Sequence, residues 1–87
     1  MIRTIVIDDE PNARQVVKNI LEQYCKSVEI IGEASNVVDG ISIINKLDPD
    51  LVLLDIRMPD GTGFDLLKKI KKINNGFLIT SLVEEAH

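Results

Sequence analysis

Two short, uninterrupted apolar runs, each followed at once by acidic residues, constrain the fold of this 87-residue chain most strongly. Residues 5–7 read Ile-Val-Ile and precede Asp8 and Asp9, and residues 51–54 read Leu-Val-Leu-Leu and precede Asp55. Continuous apolar runs of this length are typical of strands that are buried on both faces of a parallel sheet. The sequence therefore predicts central parallel strands with acidic residues at their carboxyl ends.

Between these runs, the apolar residues recur at the spacing of helices. Pro11 suits the first turn of a helix, where its missing N–H would be unpaired anyway, and Asn36 with Asp39 resembles a capping arrangement. Thr62, three residues before Asp65, is a similar signal for a third helix. The predicted elements in chain order are a strand at 2–8, a helix at about 11–25, a strand at 28–34, a helix carrying Val37, Val38, Ile41, Ile44 and Leu47, a strand at 51–55, a helix carrying Phe64, Leu67 and Ile70, and a strand at 77–80.

This alternation predicts an α/β fold with a doubly wound parallel sheet, because parallel strands need helical crossovers. A loop is predicted through residues 58–61. The length allows one small domain, and the net charge of −4 argues against nucleic-acid binding by this segment. The first residues enter a strand without a signal-peptide layout, and no apolar stretch approaches the ~20 residues of a membrane-spanning helix. We therefore expect a cytoplasmic protein that does not associate with a membrane.

The acidic residues predict a metal site. Ligands bind beyond the carboxyl ends of the strands in an open parallel sheet. If the two apolar strands are neighbours, Asp8, Asp9 and Asp55 converge there and repel one another unless a cation lies between them. Mg2+, a hard cation that prefers oxygen ligands, is the expected ion. Helix capping or solvation of a loop would explain one or two of these residues, but not three at two strand ends.

Three sequence motifs resemble the receiver domain of two-component response regulators. They are the acidic motif at 8–11 (Asp-Asp-Glu-Pro), the run at 55–59 (Asp-Ile-Arg-Met-Pro), and the glycines Gly61 and Gly63 that follow. Within that family, the first two motifs are similar to those of regulators that carry a LytTR-type DNA-binding domain. The resemblance covers about residues 1–73 closely and 77–81 loosely, and it implies a flavodoxin-like receiver fold.

The same resemblance implies a role for several residues. Asp55 would accept a phosphoryl group from a partner sensor histidine kinase, in the presence of Mg2+. Asp9 and Asp55 would bind the ion directly, Asp8 mainly through water, and Arg57 through its backbone carbonyl. Thr80 matches the switch hydroxyl of the family, which bonds a phosphoryl oxygen once Asp55 is modified. The alternative for Thr80 is an ordinary β-branched strand residue.

The chain departs from the family in its last part. The receiver domain of the family runs on for about another third of this length, with a fifth strand that ends in a lysine and then a final helix. No lysine follows Lys72, and residues 81–86 match the usual fourth helix only loosely. We therefore expect 1–87 to be an incomplete receiver domain, with an open edge strand and an uncovered aliphatic face of the sheet. We predict that such a chain self-associates through one of these surfaces.

Three interpretations of the function follow. The first is a phosphoacceptor module in signal transduction, which is not an enzyme. The second is a phosphatase of the haloacid dehalogenase type, which also uses a strand-end aspartate and Mg2+; that family requires a second acid two residues after its nucleophile, where Arg57 stands. The third is a structural or self-associating fragment with a vestigial acidic site, because the missing lysine leaves the charge of a phosphoryl group less well compensated.

Overall fold

The computed structural model describes residues 1–55, 57–58, 60–62, 66 and 76–80, and for residues 57, 62 and 76–80 the description is of the backbone. The elements are β1 (Ile2–Ile7), α1 (Pro11–Tyr24), β2 (Val28–Ala34), α2 (Val37–Leu47), β3 (Leu51–Asp55), β4 (Arg57–Met58), β5 (Gly61–Thr62) and β6 (Gly76–Thr80). These bounds agree with the predicted strands and with the first two predicted helices to within a residue or two.

The main sheet is parallel, with the strand order β2-β1-β3-β6. β1 and β3 are neighbours, and their pairing brings Ile7 opposite Leu54. β3 also pairs with β6, so that Asp55 lies opposite Thr80. The predicted α/β class with a doubly wound parallel sheet is confirmed, and the two apolar runs form its central strands.

The core lies between α2 and one face of the sheet. Alternation along a strand sends Ile5 and Ile7 to this face and Val6 to the other. Gly40 lets α2 approach closely, because a Cβ at this position would lie 2.8 Å from Leu66 Cδ1 and 2.9 Å from Ile7 Cδ1. The buried members of this cluster are Ile5, Ile7, Ala34, Val37, Ile44, Val52, Leu54, Met58 and Leu66.

Both helices begin where the sequence predicts. α1 starts at Pro11. The side-chain oxygen of Asn36 accepts a hydrogen bond from the N–H of Asp39 (2.8 Å) at the start of α2, which confirms the predicted cap. The same helix ends before Asp48, which adopts left-handed backbone angles (φ 47°, ψ 65°) ahead of Pro49. The helix ends here because the residue before a proline is displaced from the right-handed helical region.

Two features differ from the predictions. β4 and β5 pair as a small antiparallel hairpin where a loop is predicted, with Arg57 opposite Thr62 and Met58 opposite Gly61. The positive φ of Gly61 (152°) is a conformation that favours glycine. The apolar face predicted for α1 is only partly covered: Val17 and Leu21 are half-buried, whereas Val16, Ile20 and Tyr24 are largely exposed. Apolar spacing predicts a helix face, but it does not say how much of that face is covered.

Some predictions fall outside the described residues. For the third helix, this applies to Phe64, Asp65, Leu67 and Ile70, whereas Leu66 has helical backbone and is fully buried. The segment 81–86 also lies outside the description. Within the described ranges, no helix has the length and apolar character needed to cross a membrane.

Candidate metal centre

Asp8, Asp9 and Asp55 meet at the carboxyl edge of the sheet. Because β1 and β3 are adjacent, the residues that follow Ile7 lie beside the end of β3. One carboxylate oxygen from each of the three aspartates lies within 4.8 Å of those of the other two. Asp8 and Asp55 are only 8% and 7% exposed, and Asp9 is half-buried. The structure therefore brings together the three carboxylates that the sequence predicts to converge.

Asp8 is held by three hydrogen bonds, two through its backbone and one through its carboxylate. Its N–H donates to the carbonyl of Ala34 at the end of β2 (3.0 Å). Its carboxylate Oδ1 accepts from the N–H of Glu10 (2.9 Å), which closes a tight turn before α1. Its carbonyl accepts from Arg14 Nη1 (2.6 Å). These bonds fix the carboxylate at the end of β1.

Burial raises the pKa of the Asp8 carboxyl above its ordinary value of 3.8, because the charged form loses contact with water. The negative charge of Asp9 and its hydrogen bond to Asp8 also raise it. The bond from the Glu10 N–H and the charge of Arg14 act in the opposite direction. The cluster therefore has an excess of negative charge that a bound cation would neutralise.

An ion pair joins α1 to β2 near this cluster. Arg14 Nε contacts Glu33 Oε1 (2.9 Å), and Lys18 Nζ contacts Glu33 Oε2 (2.5 Å). The hydrogen bond from Lys18 is the main reason why the pKa of Glu33 lies below its ordinary value of 4.5; Arg14 adds to this effect, and partial burial opposes it. Arg14 thus links Glu33 to the carbonyl of Asp8, a connection that no spacing in the sequence signals.

Asp60 makes a second connection that the sequence does not reveal. Its two carboxylate oxygens accept hydrogen bonds from the first two amides of α2, from Val37 N (2.8 Å) and from Val38 N (3.1 Å). The partners are 22 and 23 residues apart in the chain, so no local capping pattern indicates them. The turn of the hairpin that follows Asp55 is therefore attached to α2.

The two remaining predicted site residues are described through their backbone. Thr80 pairs with Asp55 in the parallel ladder, at the carboxyl end of β6, whereas its hydroxyl lies outside the described atoms. Arg57 begins β4, two residues after Asp55. Arg57 is thus near Asp55 along the chain, and Thr80 is near it across the sheet. The roles of both residues stay predictions.

The three carboxylates fit Mg2+ by donor type and by spacing. The ion binds oxygen ligands at 2.0–2.1 Å in an octahedron, so that ligands on opposite sides of it lie about 4.2 Å apart. Oxygens within 4.8 Å of one another need to move by less than an ångström to meet this requirement. The remaining positions of the octahedron would be taken by a carbonyl, water or substrate oxygens. The site can therefore hold a divalent ion and present it to an anionic group.

Comparison with known proteins identifies similar chains. The profile of a family described as the response regulator receiver domain matches residues 4–86. The transcriptional regulatory protein BtsR of Escherichia coli (strain K12) is 35% identical over 79 residues, which are 91% of this chain and 33% of that protein. The sensory transduction protein LytT of Bacillus anthracis is 44% identical over 75 residues, 86% of this chain and 30% of that protein.

A solved structure supports the fold. The response regulator domain of Thermotoga maritima CheB superimposes with a TM-score of 0.84 at 29% identity, over 93% of this chain and 60% of that one. The chain spans about a third of the length of the curated relatives. The match to LytT agrees with the narrower resemblance to LytTR-type regulators.

Proposed function

Because the chain belongs to the response regulator receiver family, we propose that it is a phosphoacceptor module of a two-component signal transduction system. Asp55 accepts a phosphoryl group from a sensor histidine kinase in the cytoplasm. The observation that carries the proposal is the convergence of Asp8, Asp9 and Asp55 at the carboxyl edge of the sheet. Under this proposal, the chain is a signalling module whose partner is a kinase.

Asp55 is the nucleophile in this proposal. It is the last residue of β3, so the strand fixes its backbone while its carboxylate reaches the edge of the sheet. One carboxylate oxygen forms a bond to phosphorus as the bond from phosphorus to the kinase imidazole breaks, and the electron pair leaves with the imidazole nitrogen. The product is an acyl phosphate on Asp55.

The neighbouring residues hold the metal and position the carboxylate. Asp9 and Asp55 would bind Mg2+ directly, Asp8 would act mainly through water, and the backbone carbonyl of Arg57 would supply a further oxygen. When bound, the ion neutralises the carboxylates and the phosphoryl oxygens. The hydrogen bonds from the Glu10 N–H and Arg14 hold Asp8 in place, so that its carboxylate does not have to be ordered when the ion binds.

Thr80 is the proposed switch residue. Its backbone position opposite Asp55 in the parallel ladder supports this role, because the two residues end neighbouring strands at the same edge of the sheet. Transcription regulation would then be the output of a longer protein, as the name of BtsR indicates for that relative. The acidic balance of this segment, with a net charge of −4, favours no direct contact with nucleic acid.

Self-association is a further part of the proposal. Val16, Ile20 and Tyr24 form an exposed apolar stripe on α1, and β6 is an edge of the described part of the sheet. Exposed apolar patches and open strand edges favour association. Light scattering at micromolar concentration should therefore show a species larger than one chain. A stable, folded monomer would contradict the proposed self-association. If, in addition, Asp55 accepted no phosphoryl group, the interpretation as a structural fragment would remain.

A beryllofluoride experiment tests the binding of the phosphoryl group. Beryllofluoride mimics a phosphoryl group on a carboxylate, and fluorine NMR reports its binding. A bound signal that needs Mg2+ and disappears in the Asp55→Asn variant supports the proposal. No bound signal in the unmodified chain contradicts it. Hydrolysis of a phosphate ester with repeated turnover would favour the phosphatase interpretation instead.

A further inference from the structure

The N-terminus of α2 is capped by two residues from different parts of the chain. Asn36, directly before the helix, accepts from the N–H of Asp39 through its side chain and from the N–H of Gly40 through its carbonyl (3.0 Å). The amides of Val37 and Val38 donate to Asp60 instead. The bond from Gly40 is the first bond of the helix itself. Of the amides that have no partner inside the helix, the amide of Asp39 is bonded by the local cap and those of Val37 and Val38 by the remote one.

The remote cap comes from the hairpin that follows the phosphoacceptor candidate. Asp60 lies in the turn between β4 and β5. Met58, at the end of β4, is 8% exposed and belongs to the same core cluster as Val37. The hairpin is therefore anchored in the core by Met58 and attached to α2 by the carboxylate of Asp60.

We infer that Asp60 is a positioning residue for the metal centre. It holds the turn of the hairpin on α2, and through this contact it fixes the backbone of Arg57 beside Asp55. The inference rests on the proposed function, because it assigns to Arg57 the carbonyl ligand described there. Asp60 is not assigned as a ligand of the ion in this inference. Its negative charge is also favourable beside the positive end of the helix dipole.

The two caps provide a matched pair of variants. Asn36→Ala and Asp60→Ala each remove side-chain capping bonds from the same helix, and each should lower Tm by about 4–8 °C. Only Asp60→Ala also releases the hairpin. Loss of residues that support metal ligands weakens metal binding by about 10–100-fold, and a contact that acts through the backbone belongs at the lower end of this range.

Calorimetric titration of Mg2+ into the full chain tests the inference. We expect Asp60→Ala to weaken binding about tenfold, while Asn36→Ala changes the affinity less than about twofold. Asp60→Asn keeps one acceptor oxygen but loses the charge, and we expect it to weaken binding about threefold. If Asp60→Ala does not fold, Asp60→Asn carries the test, since a measurable loss relative to Asn36→Ala supports the inference.

Equal Mg2+ affinities in the Asn36 and Asp60 variants would overturn the inference and leave Asp60 as a helix cap alone. Unchanged affinity in both Asp60→Ala and Asp60→Asn has the same meaning, provided that the unmodified chain binds the ion. If the unmodified chain binds no Mg2+, the proposed function fails together with the inference. Titration of the unmodified chain therefore distinguishes failure of the proposed function, in which this chain binds no Mg2+, from failure of the inference alone, in which it binds Mg2+ and the Asp60 variants bind it equally well.

Discussion

α1 and α2 have a similar division into apolar and polar faces, but they contribute differently to the fold. α2 buries Val37, Gly40 and Ile44 against the core, and side chains cap its N-terminus. α1 buries none of its residues, and no side-chain bond caps its first turn. Its apolar stripe is largely solvent-exposed: Val16 is 54%, Ile20 49% and Tyr24 77% exposed.

The difference shows that each helix is held by a different kind of interaction. α2 is held by apolar burial, which is roughly proportional to the area removed from water. α1 has half-buried apolar residues, Val17 and Leu21, and it is also joined to the sheet by polar groups, through Arg14 to the Asp8 carbonyl and through Arg14 and Lys18 to Glu33. The same polar contacts border the acidic cluster. We therefore expect α2 to contribute more to stability than α1, and α1 to be coupled to the site.

The largest expected effect compares two isoleucines. Ile44→Ala on α2 removes a side chain that is 7% exposed, and we expect a loss of about 2–4 kcal/mol in the free energy of unfolding. Ile20→Ala on α1 removes one that is 49% exposed and should cost less than about 1 kcal/mol. Urea denaturation of the two variants measures both values. Similar losses would mean that the helices contribute equally to the core.

A smaller loss of stability is expected when Arg14 or Lys18, two cations of α1, is replaced. Arg14→Met removes the bond to the Asp8 carbonyl as well as the contact with Glu33, and we expect a loss of about 1–2 kcal/mol. Lys18→Met removes only the exposed contact with Glu33, which is worth less than about 1 kcal/mol. Mg2+ affinity should fall in the Arg14 variant and stay unchanged in the Lys18 variant. Equal changes in the two variants would show that α1 is not coupled to the site through Arg14.

Much of this arrangement is encoded locally, and that part could be predicted from the sequence. Pro11 marks a helix start because its missing N–H would be unpaired there, and Asn36 marks one through its bond to Asp39 in the first turn. The apolar runs before Asp8 and Asp55 mark buried parallel strands, and adjacency of those strands then brings the carboxylates together. The alternation of strands and helices along the chain was sufficient to predict the fold class.

The contacts that tune the site could not be predicted because they join distant segments. Asp60 reaches an amide 23 residues away, and Arg14 reaches Glu33, 19 residues away. The hairpin of β4 and β5 has two residues in each strand, too few for an alternating pattern. The exposure of Ile20 depends on what packs against α1, which its spacing in the sequence does not record.

The smallest expected effect concerns pH. The pKa of Glu33 is lowered in the folded chain, so its ionised form contributes stability that is present above pH 4.5 and is lost as the pH falls through the lowered value. Glu33→Gln lacks this contribution. The difference in unfolding free energy between the unmodified chain and the variant should therefore grow with pH, to less than about 1 kcal/mol at neutral pH. Chemical denaturation from pH 3 to pH 7 measures it; a constant difference would contradict the role of the ion pair.

The most direct test of the central claim is covalent. The full chain is incubated with a small phosphodonor and Mg2+, and intact mass spectrometry followed by peptide mapping locates any added phosphoryl group. The account predicts one phosphoryl group on Asp55, lost when Mg2+ is chelated and absent in Asp55→Asn. A chain that gains no phosphoryl group, or that gains it equally in Asp55→Asn, would contradict the assignment of Asp8, Asp9 and Asp55 as a phosphoryl-accepting metal centre.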